Sequence, residues 1–160
     1  MTELYLPERQ LGAHRDPWRL NVDLHCHSSV SDGTLAPREV VRRAHGNGVQ
    51  VLALTDHDEI GGLADAAAEA AAIGLRFVPG VEISVSWADE TIHVVGLRID
   101  PTHRPLLDGL ASIRSGRDAR ALEMADGLAR VGIQGAYDGA LKYVGNPKLI
   151  SRSHFARYLV

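Results

Sequence analysis

The chain has 160 residues, 45% of them hydrophobic and 23% charged, which describes one folded unit rather than a disordered tail or a repeat array. Its net charge of −3 and sequence pI near 6.2 exclude a basic field of the kind that draws proteins onto long duplex nucleic acid. A single cysteine, Cys26, excludes an intrachain disulfide framework, and no run approaches the roughly 18 apolar residues that a membrane span needs.

Residues 1–20 read as a mixed polar extension without the apolar run of a signal peptide, so the expected compartment is the cytoplasm, with no membrane partner. From Asn21 to His27 the residues alternate, Val22, Leu24 and Cys26 on one side and Asp23, His25 and His27 on the other, which predicts a strand. A Ser/Asp/Gly-rich loop follows to Thr34, then a helix from Pro37 to about Asn47 with Val40, Val41 and Ala44 as its apolar stripe. Val51–Leu54 is a buried strand, and Leu63–Ile73 an alanine-rich helix closed by Gly74. Short strands are predicted at Arg76–Val78, Val81–Ser86 and Thr91–Leu97, the last two joined by a turn at 88–90. This alternation predicts an α/β fold with a mostly parallel sheet or barrel over residues 21–104. Beyond Pro105 the apolar spacing turns helical: one stretch to Gly132, a second at Tyr137–Tyr143 and a third at Ser151–Leu159. Residues 105–160 therefore read as a helical insertion or cap.

Two histidines at i and i+2 of a strand project from one face about 7 Å apart, close enough to share a cation. His25 and His27 have that spacing, with Cys26 pointing the other way. Asp32 follows in the loop, His57 ends the next strand, and Glu82 and His93 lie inside apolar strands. In parallel α/β folds ligands gather at the carboxyl ends of strands, so these six residues are expected to converge. Glu82 is the most informative, because a carboxylate between Val81 and Ile83 faces away from them, and into a barrel this costs energy unless the group is paired or binds metal. An edge-strand glutamate facing water is the alternative for Glu82, and a hydrogen-bonded core histidine the alternative for His93. Asp58 reads as the N-cap of the following helix, and Asp23 as a partner that orients an imidazole. His14, His45 and His103 have no supporting neighbours and read as surface residues.

Taken together, Asp23-Leu24-His25-Cys26-His27-Ser28 with Ser31-Asp32-Gly33-Thr34, then Leu54-Thr55-Asp56-His57-Asp58, Pro79-Gly80-Val81-Glu82-Ile83-Ser84 and His93-Val94-Val95-Gly96, resemble the opening of the polymerase and histidinol phosphatase (PHP) superfamily. They are most similar to its bacterial subgroup acting on nucleoside 3′,5′-bisphosphates and short 5′-phosphorylated oligonucleotides. The resemblance implies a distorted (β/α)7 barrel and a cluster of up to three divalent ions, manganese, iron or zinc. It implies His25, His27, Asp32, His57, Glu82 and His93 as metal ligands and catalytic residues, with Glu82 bridging two ions. Water activated to hydroxide would attack phosphorus. In the helical segment, Arg152 and His154 fall in a stretch similar to the subgroup's substrate-contacting one. Arg117 and Arg120 add planar guanidinium groups suited to phosphate, with solvated helix charges as the alternative reading.

The implied function is a metal-dependent phosphoesterase acting on a small nucleotide or a short oligonucleotide end, not on long duplex nucleic acid. The alternatives are a non-catalytic metal-binding module of this fold, or a histidinol-phosphatase or polymerase-associated exonuclease activity. The family's later histidine and Asp-x-His ligands have no counterpart here, nor do the strands that would close a barrel. Since such barrels need roughly 200 residues or more, the sequence reads as the N-terminal part of a longer enzyme, with unpaired sheet edges that invite self-association.

Overall fold

The computed structural model of the chain describes residues 20–88 and 90–160. The predicted extension at 1–20 lies, apart from Leu20, outside the described residues, as do His14 and the middle of the turn at 88–90. Four strands form one mixed sheet in the order β1-β2-β3-β4: β1 (Val22–Asp23), β2 (Val51–Leu54), β3 (Arg76–Trp87) and β4 (Glu90–Leu97). Helices α1 (Pro37–Gly46) and α2 (Leu63–Ile73) link the first three, and α3 (Arg104–Ser115), α4 (Arg117–Arg130), α5 (Ala136–Leu141) and α6 (Arg152–Leu159) follow, with a 3-10 turn at Pro147–Leu149 before α6. The expected α/β class with a partial barrel sheet and trailing helices is what the chain adopts. Among the described residues no helix is long and apolar enough to cross a membrane.

Three details depart from the sequence reading. The first strand, expected over 21–27, pairs only at Val22 and Asp23. The backbone N–H of His25 is diverted to the Asp23 carboxylate at 3.2 Å, a local bond that competes with a ladder, and the chain then leaves β2, touching it again where Thr55 N–H donates to the Cys26 carbonyl. The two strands expected around Pro79-Gly80 are one strand that changes partner there, parallel to β2 over Arg76–Pro79 and antiparallel to β4 over Gly80–Trp87. Proline ends the parallel ladder, and Gly80 admits the crowded junction: a Cβ on it would lie 2.8 Å from Thr55 Cγ2 and 3.1 Å from the carbonyl oxygens of Leu54 and Gly96. Finally, the long helical pattern breaks at Gly116, a poor helix former, into α3 and α4.

The apolar side chains gather in two clusters. Val40, Val41 and Ala44 of α1 and Leu63, Ala66 and Ala70 of α2 pack with Leu52 and Leu54 of β2, all buried. That is why Val51–Leu54 is apolar at every position. The second cluster joins Ala121 of α4, Ala136 and Ala140 of α5, Ile150, and Phe155 of α6. Outside the first cluster, Arg42 Nε and Nη2 grip both oxygens of Glu69 at 2.7 and 3.1 Å, tying α1 to α2.

Candidate metal centre

Glu82 owes its place to its neighbours on both sides. Its N–H donates to the Asp56 carbonyl and its own carbonyl accepts from Asp58 N–H, while the antiparallel ladder sets it opposite Val95. Val81 turns inward to the core and Glu82 turns to the other face, where it is only 5% exposed. Four imidazoles surround it. Oε2 lies 2.9 Å from His25 Nε2, 2.9 Å from His27 Nε2 and 3.5 Å from His57 Nδ1, and Oε1 lies 2.9 Å from His93 Nδ1. Asp32 completes the group, with Oδ1 at 3.0 Å from His27 Nδ1 and Oδ2 at 3.8 Å from His57 Nε2. The rings of His27 and His57 stand edge to face, centroids 4.5 Å apart, and those of His57 and His93 at 4.7 Å.

All six residues singled out in the sequence thus meet in one place, and the water-facing alternative for Glu82 does not hold. Their donor atoms form three overlapping triads, each within 4.8 Å: His25, His27 and Glu82; His27, Asp32 and His57; His57, Glu82 and His93. The donor set suits divalent cations, being imidazole nitrogen and carboxylate oxygen throughout. A second observation agrees: His57 Nδ1 is buried with no hydrogen-bond partner, since its 3.5 Å separation from Glu82 lacks hydrogen-bond geometry. A buried polar atom left unpaired costs free energy that a cation would recover.

Electrostatics match this crowding. Burial alone would raise the Glu82 carboxyl, but the hydrogen bond from His25, the nearby His57 and the bond from His93 together hold it below the usual carboxylate range. The His27 bond, against burial, keeps Asp32 far below that range. Burial opposes a proton on His27, yet the Asp32 bond and the surrounding carboxylates raise its pKa, whereas burial lowers that of His57. Cys26 points away, as expected; its Sγ donates to the Ala53 carbonyl and burial pushes its pKa up to about 12, so the thiol stays protonated and unreactive.

Other sequence expectations change here. Asp58 caps no helix; α2 begins after Gly62. It sits fully buried with φ 51°, a left-handed conformation that Asp tolerates, and its carboxylate accepts from Ser84 N–H at 2.6 Å and from the Arg117 guanidinium. Asp23 orients the His25 backbone rather than an imidazole. Arg117, far from being a solvated helix charge, is held on Asp58, and Arg114 donates to the Asp58 carbonyl. His154 is buried at the start of α6 with Nδ1 bonded to Ser151, so its contacts are those of a helix cap. His45 and His103 are exposed, as expected.

Sequence reasoning missed the support beneath the ligands. Asp56 is 1% exposed and accepts from Ser28 N–H, Ser28 Oγ and Ser31 Oγ at 2.7, 2.7 and 2.6 Å, fixing the loop between His27 and Asp32. The signal was a carboxylate directly after the buried run Val51–Thr55, a position that demands partners. A cleft of about 830 Å³ opens beside the cluster, lined by Asp32, His57 and His93 together with Arg117, Arg120 and Arg152.

Known proteins resemble this chain over most of its length. Residues 23–135 match the family model described as the PHP domain. The chain is 55% identical over 140 residues to a 3′,5′-nucleoside bisphosphate phosphatase from Chromobacterium violaceum, covering 88% of this chain and 49% of the relative. It is 47% identical over 138 residues to a 5′-3′ exoribonuclease from Haemophilus influenzae, covering 86% and 50%. A solved structure of an amidohydrolase from Chromobacterium violaceum, with bound sulfate and no metal, superposes with a TM-score of 0.85 at 55% identity, covering 88% of this chain and 49% of that one. The chain spans about half the length of the curated relatives it matches.

Proposed function

The chain belongs to the PHP domain family, and from that premise we propose that it serves a metal-dependent phosphoesterase acting on a nucleoside 3′,5′-bisphosphate or on the 5′-phosphorylated end of a short oligonucleotide. One observation carries the reading: a buried glutamate ringed by four imidazoles, with an aspartate beside them, next to a cleft that three arginines help to line. His25, His27, Asp32, His57, Glu82 and His93 would hold divalent cations, manganese by preference and iron or zinc as alternatives. Such ions supply Lewis acidity toward phosphoryl oxygens and lower the pKa of water.

The protein's own part is placement. His27 shares its two nitrogens between Asp32 and Glu82, which fixes the ring plane, and Asp58 holds Arg117 on the cleft wall. Arg120 and Arg152 are exposed among the residues lining the cleft, Arg120 with one long bond to the Ile113 carbonyl at 3.4 Å, and would take a second phosphate or the phosphodiester of a following nucleotide. His154, buried within the helix cap, contributes through α6. The two curated relatives are named for small or end-processed substrates, which supports a ligand of a few phosphates over a long track.

The test is release of inorganic phosphate from a nucleoside 3′,5′-bisphosphate by the purified chain with manganese, and its loss in His57→Ala. Release that survives His57→Ala overturns the site. Metal uptake without release would replace the enzyme with a metal-binding module. Arg152→Ala is expected to raise KM roughly tenfold or more, the worth of a charge-assisted hydrogen bond, with a smaller change in kcat. An unchanged KM would remove Arg152 from the substrate site.

A further inference from the structure

The six candidate ligands all lie between residues 25 and 93, yet one of them is gripped from near the chain's other end. Ser153 Oγ donates to Asp32 Oδ2 at 2.7 Å, and the Arg157 guanidinium donates to the Asp32 backbone carbonyl at 2.5 Å, across 121 and 125 residues of sequence. The two residues are four apart on α6, one helical turn, so they present to Asp32 from a single face. Behind them α6 is anchored: Phe155 is 4% exposed in the helical cluster, and Ser151 and His154 close the helix start by reciprocal bonds.

Asp32 needs such a hold. Its loop is fixed at Ser28 and Ser31 by Asp56, but among the described residues nothing from that loop restrains the carboxylate itself. With Oδ1 toward His27, the Ser153 bond on Oδ2 sets the rotation of the carboxylate, and Arg157 sets the backbone that carries it. We infer that Ser153 is a positioning residue for Asp32, so that the cluster's affinity for a divalent cation depends on the docking of α6. The inference rests on the metal-binding reading above and names a dependence that reading does not contain.

The experiment is a manganese titration of the 160-residue chain, followed by calorimetry, for wild type, Ser153→Ala and Ser153→Thr, with thermal unfolding of each metal-free chain alongside. Ser153→Ala is expected to weaken binding about tenfold, the lower end for losing a group that orients a ligand. Ser153→Thr, which keeps the hydroxyl, is expected to restore most of it, and the metal-free unfolding temperatures are expected to agree. Wild-type affinity in Ser153→Ala overturns the inference, as does a loss in proportion to lowered stability. Absence of manganese binding by the wild type instead defeats the phosphoesterase reading itself, and this inference with it.

Discussion

Glu82→Gln is expected to strip the chain of divalent cation and to lower phosphate release by more than the roughly 10–100-fold that removing an outer orienting group costs. The reason is where the charge sits. One carboxylate oxygen is within 2.9 Å of two imidazole nitrogens and the other within 2.9 Å of a third, so the group is the hub of two of the three ligand triads. Glutamine has the same outline but offers one oxygen and an NH2 that can only donate, and it carries no negative charge to balance a cation. Because the outline is kept, the metal-free chain should still fold, at a cost of about 1–3 kcal/mol for the charge-assisted hydrogen bonds lost with His25 and His93. Elemental analysis after dialysis, paired with phosphate release, reads the effect; a Glu82→Gln chain that keeps its full metal content would remove Glu82 from the centre.

Gly33→Ala is expected to cost at least about 1–3 kcal/mol of stability, the range for forcing an added methyl into closed packing, and to abolish metal uptake. A Cβ at position 33 would lie 2.4 Å from the His27 carbonyl oxygen, 2.6 Å from its carbon and 2.7 Å from the Ser28 carbonyl carbon. These are backbone atoms, so no rotamer change relieves the contact. Gly33 N–H donates to the Ser28 carbonyl at 2.8 Å, closing the turn that carries Asp32 beside His27. Opening that turn moves two ligands at once. Urea unfolding with manganese binding measures both effects, and an unchanged midpoint with normal binding would show that the loop yields more easily than its geometry implies.

The cluster was legible because its members obey short-range rules. Alternation around Val81-Glu82-Ile83 fixes which way a side chain faces, and i, i+2 spacing puts His25 and His27 on one side even though the ladder there is only two residues long. The single strand through Pro79-Gly80 was not legible, because Pro and Gly punctuate most sequences and only the presence of two different neighbours, β2 and β4, makes them a junction. Asp58 was misread for a related reason: an aspartate a few residues before a helix is an ordinary cap, and what claims it instead, Arg117, is 59 residues away. The same holds for Ser153 and Arg157, whose spacing on a helix surface gives no hint of the loop they hold. Local pattern finds donors; the groups that aim them come from elsewhere in the chain.

The α6 contacts also bear on how the protein is made. During synthesis all six donors leave the ribosome before Ser153 and Arg157 exist, so a cation arriving early meets an Asp32 that has not yet been tethered. Contacts that close loops of 121 and 125 residues are among the last to form. On the positioning inferred above, a chain in which α6 has not yet docked is expected to hold a cation more weakly, since Asp32 gains its Ser153 and Arg157 bonds only when α6 folds back onto that loop.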